Sequence, residues 1–563
     1  MLTPHLSRSS FLRGSVGLLV AQAIGGSARA EGVTEAPVLY APSDYRASGA
    51  GKAGGTLKVS VATDTGTLDP HALSATNVQW IGRILFDNLV YLDETGNITP
   101  WLAKSWTISP DGTIYTFYLR DDVTFSDGSK FNAAAVLLNL QHMRDPKTKS
   151  PLAGTYIEPY ASGRIVDEYT FEATLHEPYS PFLNVLAQSW LAMESPEVIA
   201  KHPASLLYHP VGSGPFVLES YTPQQGMIFF RRPDYNWGPA LIGHQGPAYL
   251  DRLEFEFVPD ASVRYFSLAS GEYHFTIDVP AQAGAAIAAQ PDLVLENRIR
   301  MGAPNRPIAF NVTKPPFEDV RIRRGVAKTI NRDGITEIAG FGLYRPISNF
   351  LSETTQFFDD SASGQLSYDP AAAGVLFDEA GWPSRDAEGY RTKDGERLSA
   401  RIAITSSVTS LPTLVQIQSD LRAGGFELVF DAMPAGTAQL LRNNGNYQMM
   451  SGGVWHTNTP DALYINYHGS QIPNATHAGQ NVSQLNDQRL NDLLEGARLT
   501  TDPATLKSLY AAAQARLIEL VPAVPVYENQ TIVAYHKALR GVIYDTSHET
   551  PHFETIWFGD DAA

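Results

Sequence analysis

The chain of 563 residues is 43% hydrophobic and 10% aromatic, too long for one core and apolar enough to fill two or three. A formal net charge of −17 argues against nucleic acid or an anionic membrane as partner. With no cysteine there is neither a disulfide nor a lipid-modified N-terminal cysteine, so the core alone must hold the fold.

Residues 1–30 read as an export signal: Arg8 and Arg13, a short apolar run over 16–24, and the A-x-A site Ala28-Arg29-Ala30. The run is far shorter than the ~20 residues a membrane span needs, and no later stretch is long enough, so the mature chain is expected to be soluble. Cleavage after Ala30 removes Arg8, Arg13 and Arg29 and no acid, taking the net charge from −17 to −20. Ser9 stands where a twin-arginine signal would have its second arginine, which favours the general secretory route and leaves the other open. Residues 31–53, rich in Pro, Gly, Ala and Ser without periodicity, read as a flexible leader before a strand over 55–61.

Further along, Pro110-Asp111-Gly112 is turn chemistry between two β-rich runs, and Asp127-Gly128 makes another turn. Asn132 then opens the alanine-rich run 133–140 as a capped helix. Pro223-Gln224-Gln225-Gly226 separates a second pair of strands. Val320, Val326, Ala327 and Ile330 form a stripe at helical spacing, and no repeat of 20–50 residues interrupts the alternation of strand-like and helix-like segments. The class is therefore mixed α/β.

The spellings LFDNLVYLDETGNITPWLAKSW, SPDGTIYTFYLRDDVTFSDG and FNAAAV, with GSGPFVLESYTPQQGMIFFRRPDYNW, FNVTKPPFEDVRIRRGVAKTINRDGI and PAVPVYENQTIVAYHKALRGV, resemble the family 5 extracellular solute-binding proteins of peptide- and nickel-type ABC importers. The resemblance covers most of residues 55–545. It implies an α/β, two-lobed periplasmic binding protein with a hinge between lobes and an extra peripheral domain inserted in lobe one. The implied divisions are lobe one over 54–92, 208–301 and 525–563 (with the C-terminal tail), the inserted domain over 93–207, and lobe two over 302–524. It further implies a monomer, free in the periplasm, that takes a small molecule or oligopeptide, serves the membrane subunits of an ABC permease, and is no enzyme. No cofactor, metal or nucleic acid is expected.

Other motifs carry less. His548-Glu549-Thr550-Pro551-His552 matches H-E-x-x-H, the basis of a rival reading as a secreted zinc hydrolase, but Pro551 would sit inside the helix that chemistry needs. Gly51-Lys52 lacks the other elements of a phosphate loop, and Val211-Gly212-Ser213-Gly214-Pro215 is not a nucleophile elbow. Those glycines read as a tight turn that needs their conformational freedom. His456, His468 and His477 have no compact metal-site spacing, although a chelated nickel ion would suit imidazole. Arg321-Ile322-Arg323-Arg324 reads as a fold-stabilising run that pairs with Glu318 or Asp319.

The resemblance places the ligand in the cleft between lobes, where peptide-binding relatives carry an acid three residues after a tryptophan to pair with a free amine. A buried ammonium needs such a carboxylate. Here Trp455 matches, His456 follows it, and Asn458 stands in the acid's place. Asp461 is either a replacement anchor or the cap of a helix after Pro460. The arginine that holds a dipeptide carboxylate in dipeptide-specific relatives has no counterpart over 402–409. Trp455 is a stacking wall or a core residue; Arg306, beside Asn305 near the lobe crossing, meets an anionic group or is linker charge. Asp69 and His71 match a family segment at the cleft edge, where Asp69 also suits a turn cap. A peptide or peptide-like solute comes first, with an opine, a sugar conjugate or a nickel chelate as alternatives.

Overall fold

Thr56–Val61 buries Leu57, Val59 and the residues that follow, as a strand inside a sheet should. The computed structural model describes residues 45–560, apart from 48, 73–77, 151, 202, 406–410, 452–457, 476, 478 and 548. The proposed signal sequence and most of the leader lie outside it. Thr56–Val61 is central to a seven-stranded sheet in the order Leu293–Ile299, Gln530–His536, Phe275–Ile277, Thr56–Val61, Arg252–Phe257, Gly226–Arg231, Phe216–Thr222. Segments from three distant parts of the chain therefore build lobe one.

A four-stranded antiparallel sheet, Ala103–Ile108, Ile114–Leu119, Thr170–Leu175 and Tyr160–Asp167, makes the inserted domain. Its first hairpin turns at Pro110-Asp111-Gly112, where Gly112 takes φ +71°. Asn132 caps the helix Ala133–Arg144 by accepting from Ala135 N at 3.1 Å. Lobe two is a five-stranded sheet in the order Glu427–Met433, Ser399–Thr405, Met449–Met450, Ile308–Phe310, Ala523–Val524.

Each sheet has its own core. Phe310, Val326, Phe377 and Leu517 belong to that of lobe two, Phe117, Phe171 and Trp190 to that of the inserted domain, and Val59, Phe255 and Phe275 to that of lobe one. The inserted-domain core also takes in Tyr235, Trp237 and Ile543 from segments of lobe one and Ile465 from lobe two. Between lobes the chain crosses on two adjacent segments: Asn305 N donates to Tyr527 O at 2.8 Å, and Val526 N to Asn305 O at 3.0 Å.

Gly212 and Gly214 serve a different purpose from the one the sequence suggests, since neither has a positive φ. A Cβ on Gly212 would lie 1.9 Å from Leu85 O, and one on Gly214 2.5 Å from Leu85 C. Close approach of two backbones, sealed by Gly214 N donating to Leu85 O at 2.9 Å, is what requires them. Arg321 pairs with Asp319 at 2.6 Å as expected, and buried Arg323 donates to Leu520 O and Val521 O at the end of the helix Pro503–Leu520. No helix among the described residues is long and apolar enough to cross a membrane.

Candidate functional site in the interlobe cleft

Lobe two and the inserted domain meet at a loop pair. Ser180 N donates to Arg498 O at 2.8 Å, Ser180 Oγ to Ala497 O at 2.9 Å, and Tyr179 Oη lies 3.4 Å from Asp461 Oδ2. Beside these contacts is a cavity of about 150 Å³ lined by Ser180 and Asn184 from the inserted domain and Gln356, Phe357, Thr459 and Pro460 from lobe two. Asn184 Oδ1, buried in this wall, has no hydrogen-bond partner among the described residues.

Asp461 starts the helix Ala462–Tyr467, but its side chain does not cap it; its own N–H donates to Thr459 Oγ1 at 3.0 Å. Instead both carboxylate oxygens accept from Arg498, each at 2.7 Å, in the planar fork geometry that guanidinium favours. Burial pulls the Arg498 guanidinium down, but the adjoining Asp461 carboxylate outweighs it and holds the arginine above its ordinary value. Asp461 thus meets a resident cation on its own lobe.

Asn458 is only 3% exposed, and neither its Nδ2 nor its Oδ1 has a hydrogen-bond partner among the described residues. An amide stripped of water without partners costs about 1–3 kcal/mol, so the position asks for a polar group from elsewhere. Trp455 and His456, immediately before it, lie outside the described residues, as do 406–409 of the segment without the dipeptide arginine.

Arg306 is buried and donates to Tyr467 Oη at 2.7 Å and to Asn466 Oδ1, tying the lobe crossing to the helix Ala462–Tyr467. Asn305 uses its backbone to pair the two crossing segments. Next to them Glu528, 1% exposed, accepts from Glu353 N at 3.0 Å through one oxygen, and burial pushes its carboxyl up to about 8.

Asp69 and His71 come together elsewhere, against the inserted domain. Asp69 Oδ1 accepts from His71 N at 2.8 Å and Ala72 N at 3.2 Å, the turn-capping role open to it from sequence. His71 Nε2 lies 2.8 Å from Ala192 O.

The zinc-protease motif does not form a helix in its described part. Glu549 has φ +54°, Thr550–Pro551 is a strand of a hairpin, and His548 lies outside the described residues. Glu549 accepts from Arg298 Nε at 2.5 Å and Tyr45 Oη at 2.8 Å, and His552 meets Tyr91 Oη and Glu554. His468 pairs with Glu495 at 3.0 Å and stacks on Tyr464. Arg498, Ser180, Asn184 and Glu528 escaped sequence reasoning, because none stands in a motif and their meaning comes from partners far along the chain.

The family model for bacterial extracellular solute-binding proteins, family 5 Middle, matches residues 97–474, and the chain belongs to this family, the solute-binding components of ABC importers. It is 28% identical over 491 residues to the glutathione-binding protein GsiB of Shigella dysenteriae, a match spanning 86% of this chain and 91% of that protein. Among solved structures, NikA from Brucella suis in complex with Fe(III)-EDTA superposes with a TM-score of 0.79 at 21% identity, over 90% of this chain and 100% of that one. The A. tumefaciens protein MoaA in complex with mannopinic acid gives 0.72 at 26% identity, with 90% and 100% covered. The fold is that of the two-lobed periplasmic binding proteins, and the relatives named are binding proteins rather than enzymes.

Proposed function

We propose that this protein captures a peptide or peptide-like solute in the cleft between its lobes, beside the contacts of lobe two with the inserted domain, and presents it to a membrane permease, after export to the periplasm and cleavage behind Ala30. The observation that carries the reading is the buried Asn458 amide without a partner among the described residues. Its donor and acceptor complement those of a peptide group. Arg498 already occupies both oxygens of Asp461, so recognition rests on amides rather than on a carboxylate reading a free amine. The likeness to a glutathione-binding protein supports the same class. Capture follows the hinge logic of a clam: the solute binds the two sides, and their contacts at Ser180 hold them together.

An opine is the second reading, favoured by the likeness to MoaA with bound mannopinic acid. A thermal-shift panel on ligand-stripped protein, with glutathione, di- to hexapeptides, mannopinic acid, agropinic acid and nickel–histidine, separates the two. A ligand at a hundredfold over its Kd stabilises by about 2.7 kcal/mol, well within detection. Shifts with peptides support the first reading; shifts with opines alone replace it with the second.

A further inference from the structure

Four side chains from three segments far apart in sequence converge where lobe one meets the inserted domain. They are Asp69 and His71 from the turn at Pro70–Ala72, His142 from the helix Ala133–Arg144, and Glu194 from the segment before Pro196–Lys201. One ligand atom from each lies within 4.8 Å of all the others. His71 Nδ1 is 3.5 Å from Glu194 Oε2, and His142 Nε2 is 3.6 Å from Asp69 Oδ2 and 4.0 Å from Glu194 Oε2. These separations are too long for hydrogen bonds. They approach the roughly 3.3–3.5 Å edges of a tetrahedron of N and O ligands about 2.0–2.2 Å from one ion.

The protons make the case. His71 Nε2 lies against the Ala192 carbonyl, which only accepts, so that nitrogen carries the hydrogen and Nδ1 presents a lone pair. Thr148 Oγ1 donates its single hydrogen to His142 O at 2.7 Å. It therefore accepts from His142 Nδ1 at 3.1 Å, leaving a lone pair on Nε2. Two imidazole lone pairs and two carboxylates thus face one point. His71 Nδ1, His142 Nε2 and both oxygens of Glu194 have no hydrogen-bond partner among the described residues, and the His71 and Glu194 side chains are 0% exposed. A single proton cannot satisfy this set, whereas a cation at the centre satisfies all of it. The outward N–H of each histidine is held by an oxygen, the arrangement that orients metal-ligating imidazoles. Asn139 holds the Glu194 backbone on both sides, at 2.8 Å each. A cavity of about 540 Å³ lined by Asp69, His142, Asp145 and Leu207 gives a way in.

We propose that Asp69, His71, His142 and Glu194 bind a divalent transition-metal ion that pins the inserted domain to lobe one, with Zn²⁺ the ion that the two-imidazole, two-carboxylate set fits best. The ion is resident and apart from the solute in the cleft: every described residue lining its cavity comes from 69–207. This departs from the expectation of no metal drawn from sequence, which could not see four ligands on three separate segments.

The test uses the mature protein, chelator-stripped and titrated with Zn²⁺ by calorimetry and by melting, and with Co²⁺ by visible absorption. One equivalent of Zn²⁺ should bind and raise Tm, and Co²⁺ should give the intense bands of a tetrahedral N/O site. Glu194→Gln and His142→Asn should each weaken binding by about 100-fold, while His468→Ala should leave it unchanged. Absence of a Zn²⁺-dependent Tm shift in the wild-type protein overturns the proposal, as does Zn²⁺ binding that survives Glu194→Gln but not His468→Ala. Should a variant fail to fold, the wild-type Co²⁺ spectrum decides: octahedral-type weak absorption, or none, is a negative result.

Discussion

Arg498 reaches both oxygens of Asp461 at 2.7 Å while its guanidinium carbon sits 3.3 Å from the centre of the Tyr464 ring. The arginine is therefore fixed from two sides, and Asp461, with its side chain 2% exposed, has no water to fall back on. Removing one partner of a buried pair strands the other charge, a loss of about 3–5 kcal/mol. Because the Arg498 side chain keeps 21% of its exposure, Arg498→Ala is expected near the lower end. Urea denaturation reads this directly, and a loss below about 1 kcal/mol would contradict the pair's structural role.

The same relationship separates scaffold from ligand anchor. Asp461→Asn is expected to lower stability but leave the affinity for a cognate solute within about threefold, since the carboxylate serves Arg498. A hundredfold loss of affinity, about 2.7 kcal/mol, in a variant that still melts cooperatively would make Asp461 the amine anchor after all.

Asn458→Leu should do the opposite. Exchanging a buried amide that lacks partners for an apolar group of similar size leaves the solute-free protein as stable or slightly more so. Solute affinity should fall by about 10–100-fold, the worth of one or two lost hydrogen bonds plus the ligand groups left unpaired. Isothermal titration with whichever solute gives a thermal shift checks it; unchanged affinity removes Asn458 from the site.

Glu528 predicts a pH effect. Its carboxyl titrates near 4.5 in the unfolded chain and is pushed up to about 8 in the fold by burial. Between those values the native state holds a proton that the unfolded state has released. The contribution of Glu528 is therefore fully present below about pH 4.5, and it is lost as pH rises towards 8, by at most about 1.4 kcal/mol per pH unit. Glu528→Gln, which can still accept from Glu353 N, should flatten this slope relative to wild type in denaturation curves across that range. Parallel curves for the two proteins would refute it.

How much was legible depended on how local the cause was. The hairpin at Pro110-Asp111-Gly112, the Asn132 cap and the Arg321–Asp319 pair rest on neighbours within a few residues, and each stands as the sequence suggests. Asp461 stayed open between two roles because its partner, on the helix Gln488–Arg498, arrives only through tertiary packing. Gly212 and Gly214 were readable as structural, but the reason was not: the backbone they touch at Leu85 lies in another segment. Gly212→Ala is accordingly expected to cost about 3 kcal/mol or more, because backbone rather than a pliable side chain blocks the new methyl. A melting curve unchanged from wild type would count against that contact.

The strand Gln530–His536 sits in the interior of the lobe-one sheet, hydrogen-bonded to Leu293–Ile299 on one side and Phe275–Ile277 on the other. A chain emerging N-terminus first therefore cannot finish its first lobe until almost everything else has been made. Until then the edges of Phe275–Ile277 and Leu293–Ile299 lack the neighbour that joins them, and the sheet that begins with Thr56–Val61 is left in two pieces. On the proposed general secretory route, which passes chains through the membrane unfolded, late completion is an advantage: the connectivity itself delays the lock.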